Sequence, residues 1–590
     1  MLKWALVVGV LAAVANAASG RTLLETARER SSDLRLATYA TSHQVERLAT
    51  DADFRAAVWE AIERMGITKL YLEVYRGGHT VPPEQLVQVR DWLLERDIGV
   101  VGGIATVPGG DVGVRQEGPL GWFNWQNEKT QRDLRRIIRA SAPLFDRFIV
   151  DDFLCTGDVS AESERAKGDR SWGQYRRDLL TELTQSIFLR PAKEVSPGIT
   201  MIVKYPQWYD RFDLFGYDTV TFPRLFDQVW VGTETRGRNT QRFGFVQPYE
   251  GFVNYRWLAD IAGEKIGGAW FDHGDCAEHD FLDQAYTSVL AGAPELVFFN
   301  LGDVVAGHPD HGKVANRFGQ LTDLAAFVRA RPVTGVPAYK PPNSDPAGDM
   351  YLMDFLGMLG IPLVPVHEFP HDAPVIFLPA QAAADPKLYE HVKKARARGR
   401  HLIVTTNLLI AWPQGRELAS AVGIDPDFVS APLRATYRTE DGDVEMDLEA
   451  AIEVAPRKGD VVCADGARQL LLLRTAGNIS LLNTHTYSQA DFDAVGEVLL
   501  CPRPLGLLSL DEPALTSFRT AFAGAKPPTF KGPACVTYHP FADASQGDCV
   551  LQNFNDRAVE VGLTLPDDEV RRTFTIPPRD RVWIASERTR

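Results

Sequence analysis

Several stretches of this 590-residue chain carry an apolar run straight into a carboxylate. Phe148-Ile149-Val150 leads into Asp151-Asp152, Val229-Trp230-Val231-Gly232-Thr233 into Glu234, Ala269-Trp270-Phe271 into Asp272, and Leu70-Tyr71-Leu72 into Glu73. Burying charge beside an apolar core costs several kcal/mol unless the charge is paired or used, so acids rarely gather this way by accident. Two carboxyl groups facing one bond are what glycoside cleavage needs: one protonates the leaving oxygen while the other attacks or activates water. Lys204 and Arg236 stand among these acids and can hydrogen-bond hydroxyls or hold a carboxylate ionised. Tyr75, Trp122, Trp125, Tyr205, Trp208, Tyr209 and Trp270 offer flat apolar faces for sugar rings.

The elements that must position these groups alternate regularly. Short apolar runs at Leu36–Ala40, Lys69–Val74, Gly99–Thr106, Arg147–Phe153, Ile199–Tyr205, Gln228–Thr235, Gly267–Asp272 and Glu295–Asn300 predict strands. Between and after them, three- and four-residue apolar spacing predicts helices over Phe54–Met65, Pro83–Arg96, Glu128–Ala142, Trp172–Leu189, Asn254–Ala262, Phe281–Ala291 and Lys313–Arg329. Eight strands with helical crossovers imply a parallel sheet, and the count favours a closed (β/α)8 barrel over residues 34–331. No Gly-rich dinucleotide fingerprint follows the first strand, which weakens a doubly wound alternative. In such barrels reacting groups sit where strands end and βα loops begin, which is where the acids fall.

A Pro-, Gly- and Asn-rich stretch, 332–346, reads as a linker. Beyond it a small α/β domain is expected over 347–500, interrupted at about 430–475 by alternating, strand-like sequence. Short strands with turn signals over 505–590 predict a C-terminal β-sandwich, with Asn555-Asp556 as a hairpin turn.

Each acid also has a bland reading. Strand alternation lets only one of Asp151 and Asp152 point inward, and Asp152, nearer the rim, is the favoured one. Glu234 could simply pair with Lys204 or Arg236, and Asp272 could bind substrate or cap a helix. Glu73 and Asp303 fit structural roles. His273 and His279 beside Asp275 and Cys276 match no metal-ligand spacing, so no metal or other cofactor is expected. The resulting expectation is a catalytic set of Asp152, Glu234 and Asp272. Around it, Asp151, Glu73, Lys204, Tyr205, Trp208, Arg236, Trp270 and His273 are expected to bind substrate.

Composition narrows the partners. A net charge of −14 without a Lys/Arg run argues against nucleic acid and anionic lipid and suits a neutral saccharide. Residues 1–17 have the parts of a secretory signal: Lys3, an apolar core from Trp4 to Val14, and a small-residue site at Ala15-Asn16-Ala17. An uncleaved anchor is the alternative. The expectation is a secreted or periplasmic protein with no membrane association after signal cleavage. Six cysteines are too few for a disulfide scaffold, although Cys535 with Cys549, or Cys155 with Cys276, could close isolated bridges.

These acids at strand ends resemble the glycoside hydrolase superfamily of TIM barrels. In the α-galactosidase and α-glucosidase type, a strand-four Asp is the nucleophile and a strand-six carboxyl the acid/base. That resemblance would make Asp152 nucleophile and Glu234 acid/base, although Ile149-Val150-Asp151 stands where that type carries Lys-Trp-Asp. The domain order is similar to thermophilic-type β-galactosidases: a barrel, then a glutamine-amidotransferase-like (flavodoxin-like) domain, then a β-sandwich. Their middle domain mediates trimerisation, which implies a possible homo-oligomer here. Those enzymes use Glu on strands four and seven, where this chain has Asp152 and Asp272. Asp151-Asp152-Phe153, Lys204-Tyr205-Pro206, Thr233-Glu234-Thr235-Arg236 and Trp270-Phe271-Asp272 also look like a group of secreted bacterial barrel proteins regarded as glycosidases of unknown substrate. The middle domain has Leu378-Pro379-Ala380 where amidotransferases carry their Cys nucleophile. The expected function is an exported glycoside hydrolase acting on a poly- or oligosaccharide by a two-carboxylate mechanism. The alternatives are a non-catalytic carbohydrate-binding or scaffold protein and, more weakly, a metal-dependent deacetylase on the same fold.

Overall fold

The computed structural model describes residues 21–118, 120–237, 247–424, 430–439, 442–452, 454–465, 468–489, 507–523, 529–541, 548–564 and 572–584. The signal segment 1–17 lies outside the described residues. Among the described residues no helix is long and apolar enough to cross a membrane.

Eight parallel strands form a closed ring: β1 (Arg35–Ala40), β2 (Lys69–Arg76), β3 (Gly99–Ile104), β4 (Arg147–Val150), β5 (Thr200–Tyr205), β6 (Gln228–Gly232), β7 (Ile266–Asp272) and β8 (Glu295–Phe299). Ala37 of β1 is in register with Lys69 of β2 on one side and Val297 of β8 on the other, which closes the barrel. Alternate side chains fill the interior: Ala37, Tyr39, Tyr71, Val101, Ile149, Ile202, Trp230, Trp270 and Val297. Glycine makes room for the largest of these. A Cβ on Gly267 would lie 2.1 Å from the Trp230 ring, so β7 can pass that indole only without a side chain there. At the lower end Lys69 Nζ reaches Glu295 at 2.9 Å and Tyr71 OH donates to Glu295 at 2.6 Å, pairing the charges buried inside.

The crossover helices form where the periodicity places them. Ala52–Met65 starts on Asp51, whose carboxylate accepts from Phe54 N at 3.0 Å, stops at left-handed Gly66, and buries Phe54, Val58, Ala61, Ile62 and Met65. An additional helix, Ser42–Thr50, sits between β1 and that helix. Its buried face is only Ser42, Val45, Leu48 and Ala49, a weak apolar signal in sequence. A two-residue arm, His79–Thr80, folds back on the end of β2.

The expected linker is not one. Val336–Tyr339 within it forms β9, an interior strand of a seven-stranded sheet with β10 (Leu363–Val366), β11 (Val375–Leu378), β12 (His401–Thr405), β15 (Val461–Asp465), β16 (Arg468–Ala476) and β17 (Ile479–Asn483). The order is β10-β9-β11-β12-β17-β16-β15, parallel through β17 and antiparallel beyond. Flanking prolines hide this strand in sequence, yet its residues are mostly buried. The expected insertion also divides. Ser430–Thr439 (β13) and Gly442–Ile452 (β14) make a separate two-stranded ribbon, whereas β15 and β16 extend the main sheet.

After the helix Glu512–Ala523, six strands form two three-stranded sheets: Thr529–Lys531, Val559–Thr564 and Arg572–Ile576 in one, Val536–Pro540, Cys549–Asn553 and Arg581–Ile584 in the other. Phe530, Val561 and Ile576 from the first pack with Val536, Leu551 and Ile584 from the second in one core, a β-sandwich. Asn555-Asp556 is not a hairpin turn, because the strands on either side of it belong to different sheets. Neither the Cys535–Cys549 nor the Cys155–Cys276 bridge forms, since Cys155, Cys276 and Cys549 are free thiols. Cys276 faces Gln284 at 3.3 Å, whereas Cys155 is fully buried.

The barrel and the α/β domain are joined by buried polar contacts. Trp257 Nε1 donates to Lys340 O at 2.8 Å, Lys340 Nζ reaches Asp210 at 2.9 Å, and Tyr209 OH donates to Asp354 at 2.8 Å. The sandwich is pinned to the barrel by Arg579, 3.1 Å from both Asp280 and Asp283.

Candidate active site

Lys204 is the hub. It points inward from β5, 2% exposed, with its Nζ 2.7 Å from Asp152 Oδ2, 2.9 Å from Glu234 Oε1 and 3.5 Å from Asp151 Oδ1. The ammonium rests over the Trp270 ring, 4.5 Å from its centroid. Burial alone would lower the lysine pKa. Asp152, then Glu234 and Asp151, overturn that and hold it above its ordinary value.

The strand ends explain how Asp151 and Asp152 both reach this hub. β4 stops at Val150; Ile149 faces the interior, so alternation carries Asp151 inward, while Asp152 lies in the turn beyond the strand and is free to reach the site as well. The expectation that only one faces the site is therefore corrected. Asp151 is the more buried, accepts from Asp152 N at 2.8 Å and lies 3.5 Å from Arg76. Burial and the neighbouring Asp152 carboxylate push it up to about 8. For Asp152, burial acts upward, but the closer contact with Lys204 brings it below the usual carboxylate value. Glu234 goes the other way: burial raises it, and the pull of Lys204 offsets this only in part.

A second charged set flanks the first. Arg236 grips Asp272 with both arms, Nε to Oδ1 at 3.1 Å and Nη2 to Oδ2 at 2.7 Å, and its Nη2 lies 3.9 Å from Glu234. Its backbone is left-handed, φ 50°, and its N–H donates to Gln284 at 3.2 Å. On the opposite flank Glu73 is completely buried. It accepts from Tyr39 OH at 2.8 Å, Ser42 N at 2.8 Å and Arg76 Nε at 3.0 Å. With all three donors in place, Glu73 orients Arg76 rather than facing substrate.

Of the expected binding residues, some are elsewhere. Tyr205 follows Lys204 on β5 and so points outward, where its OH donates to Asp218 O at 2.8 Å. It does not line the site. Trp270 is 2% exposed and forms the floor under Lys204 rather than an open sugar platform. His273 turns toward His308 and His311, with ring centroids 4.3 and 5.1 Å away, and not toward Lys204. Tyr75, Trp125 and Tyr209 are buried, whereas Trp208 is half-buried and stacks on Trp122 at the mouth. Two contributors were not singled out in sequence: Arg76, three residues beyond Glu73, and Gln207. In the amide orientation that satisfies both neighbours, Gln207 donates to Glu234 Oε2 at 3.1 Å and accepts from Trp208 Nε1 at 3.0 Å.

Residues 21–322 match the family model described as probable glycosyl hydrolase, catalytic domain. The chain belongs to this family. The match covers all eight barrel strands. An uncharacterized protein of Saccharolobus solfataricus is 23% identical over 374 residues, 56% of this glycosyl hydrolase and 60% of that relative, so the likeness leaves a large part of the relative unmatched. Among solved structures, a β-galactosidase from Bacillus circulans sp. alkalophilus superposes with a TM-score of 0.58 at 12% identity, covering 94% of this chain and 99% of that one. A GH42 β-galactosidase from G. stearothermophilus gives 0.58 at 11% identity over 94% and 98% of the two chains. A cold-adapted β-galactosidase from Rahnella sp. R3 gives 0.56 at 12% identity over 99% of both. At such identities these likenesses establish the shared fold. They extend the resemblance from the barrel to the order of all three domains.

Proposed function

We propose that this glycosyl hydrolase is an exported enzyme that cleaves a poly- or oligosaccharide with retention of configuration, using Asp152 as nucleophile and Glu234 as acid/base. The observation that carries this reading is the shared contact with Lys204. With Nζ 2.7 Å from one carboxylate oxygen and 2.9 Å from the other, those two nearest oxygens lie at most about 5.6 Å apart, a spacing that fits a retaining pair without by itself fixing the separation of the carboxyl groups. Retaining pairs stand roughly 5–5.5 Å apart, and inverting pairs need roughly 6.5–9.5 Å to admit a water. The environments also divide the labour, with Asp152 favoured as the anion and Glu234 as the acid.

In the first step an Asp152 oxygen attacks the anomeric carbon as the bond to the leaving oxygen breaks, and Glu234 delivers its proton to that oxygen. In the second, Glu234 takes a proton from water, whose oxygen displaces Asp152 and restores both groups. The fork of Arg236 and Asp272 supplies donors and acceptors for ring hydroxyls beside Glu234. The β-galactosidase neighbours suggest a β-glycoside substrate, although Asp152 and Asp272 replace the glutamates expected of that group. Export rests on residues 1–17 and is checked by the mass of the mature N-terminus.

The test is the anomeric configuration of the first-formed product, followed by NMR on the active member of an aryl-glycoside and oligosaccharide panel. Retention is expected, with Asp152→Asn and Glu234→Gln each losing at least about 10³-fold in kcat against that glycoside while remaining folded. An inverted product would overturn the mechanism, and full activity in both variants would remove the residue assignment.

A further inference from the structure

Among the described residues, one group of three histidine or carboxylate side chains brings its possible metal-ligand atoms within 4.8 Å of one another: His43, Glu46 and His79. It stands at the same end of the barrel as the acids but belongs to neither charged set described above. His43 and Glu46 are three apart on the helix Ser42–Thr50, which places them on one face of its first two turns. His79 comes from the arm that folds back on β2, in register with Arg76. Its Nε2 lies 3.0 Å from Glu46 Oε2, and its ring centroid is 4.0 Å from that of His43. The other nitrogen of His79 is buried without a partner, so Nε2 is the atom it presents.

We propose that His43, Glu46 and His79 form a binding site for a divalent transition-metal ion of the zinc class. Two imidazoles and one carboxylate suit such an ion, which takes nitrogen and oxygen ligands at about 2.0–2.2 Å and completes its shell with water when the protein supplies three. The half-exposed position leaves a side for that water. Closing ligand atoms from within 4.8 Å to the spacing of a shared ion needs only rotation about side-chain bonds, since His43 is exposed and Glu46 half-buried. A bound ion would tie the helix to the β2 arm. Both segments support the rim: Ser42 N donates to Glu73, and Arg76, cross-strand partner of His79, holds Glu73 and approaches Asp151. The ion is therefore a clamp on the β1–β2 side of the mouth, outside the Asp152 and Glu234 pair.

The experiment uses the full chain, stripped with a chelator and dialysed, then titrated with Zn2+ against a chromophoric competitor. One tight zinc per chain is expected, with His43→Ala and His79→Ala each weakening it at least tenfold and His308→Ala leaving it unchanged. His43 is exposed and His79 half-buried, and the unfolding midpoint in chelator confirms that the variants fold. Independently, Co2+ on the unsubstituted chain should give a visible absorption band that Zn2+ abolishes. Absence of stoichiometric zinc, wild-type affinity in both variants, or loss of binding in His308→Ala instead would each overturn the proposal.

Discussion

Lys204 and Trp270 meet at the floor of the pocket, the ammonium 4.5 Å from the indole centroid, so the cation that joins the two proposed catalytic acids is itself fixed from below by an aromatic face. Its position is over-determined by three carboxylates above and one ring beneath. Replacing it with methionine keeps the length and removes the charge. Lys204→Met is expected to lower kcat by at least about 10²-fold, since Asp152 loses the partner that keeps it ionised. The acidic limb of the pH–rate profile should move to higher pH, because the contact that lowers Asp152 is gone. An unchanged acidic limb would show that Lys204 is only structural.

The wild-type profile of kcat/KM should be bell-shaped. Activity needs Asp152 as anion and Glu234 as acid, so the rise falls below the ordinary carboxylate range and the decline above it. Glu234→Gln removes the group behind the alkaline limb. With an activated aryl leaving group that needs no proton, the residual first step of Glu234→Gln should lose its alkaline decline. A surviving decline would assign that limb to another residue, and Asp151, pushed up to about 8, is the one to test next.

Asp272, expected in the catalytic set, is held in a two-point grip by Arg236, a geometry that suits orienting substrate. Asp272→Asn should raise KM for the natural saccharide by roughly 10- to 100-fold, on the scale of one or two lost charge-assisted hydrogen bonds, with both limbs of the pH profile in place. Loss of one limb instead would move Asp272 from binding into the proton-transfer pair.

Glu250 makes a prediction about stability. It opens the helix Tyr249–Ala262, is fully buried, and neither carboxyl oxygen has a partner. Burial, then the nearby Asp354 and Glu234 carboxylates, raise its pKa far above the ordinary value. The protonated group therefore favours the folded state most below its unfolded value near 4.5, and that stability is lost as pH rises toward the folded value. Glu250→Gln keeps the shape and cannot ionise. Its unfolding midpoint should match wild type at pH 4 and exceed it at pH 8, by an amount corresponding to about 1 kcal/mol or more. Equal midpoints at pH 8 would mean that Glu250 has a compensating partner.

The barrel was legible because its strands are short apolar runs and its helices show three- and four-residue apolar spacing, with side-chain caps at Asp51, Asn127 and Ser171, all local signals. Each of the eight strands lies where periodicity places it, with ends shifted by a few residues. Those ends mattered most at the site. β4 stops at Val150 rather than Phe153; Ile149 faces the interior, so alternation puts Asp151 inward, and it is Asp152, which a longer strand would turn outward, that the early end lets reach Lys204. Tyr205 failed for the converse reason. It lies inside β5, where alternation does hold, and Lys204 had already taken the inward face. Arg76 and Gln207 were hidden because their importance comes from partners on other strand ends, Asp151 and Glu234, which local spacing does not report. The strand in the Pro-rich 332–346 stretch was hidden by composition. Pro337 is tolerated in β9, and the sheet that makes the segment a strand comes mostly from residues far along the chain.

That strand bears on how the enzyme can be taken apart. The family match ends at residue 322, which invites trimming the chain to a barrel. Such a fragment would strip the Lys340 ammonium from Asp210 and the Lys340 carbonyl from the Trp257 indole, laying bare an acid and a tryptophan that the intact chain keeps dry. Asp210 is two residues beyond Trp208, in the segment that leads on from Lys204, so the cut would be felt at the mouth of the pocket. The working unit therefore extends past the barrel, and any shuffling of these domains must carry β9 and its sheet along with the barrel.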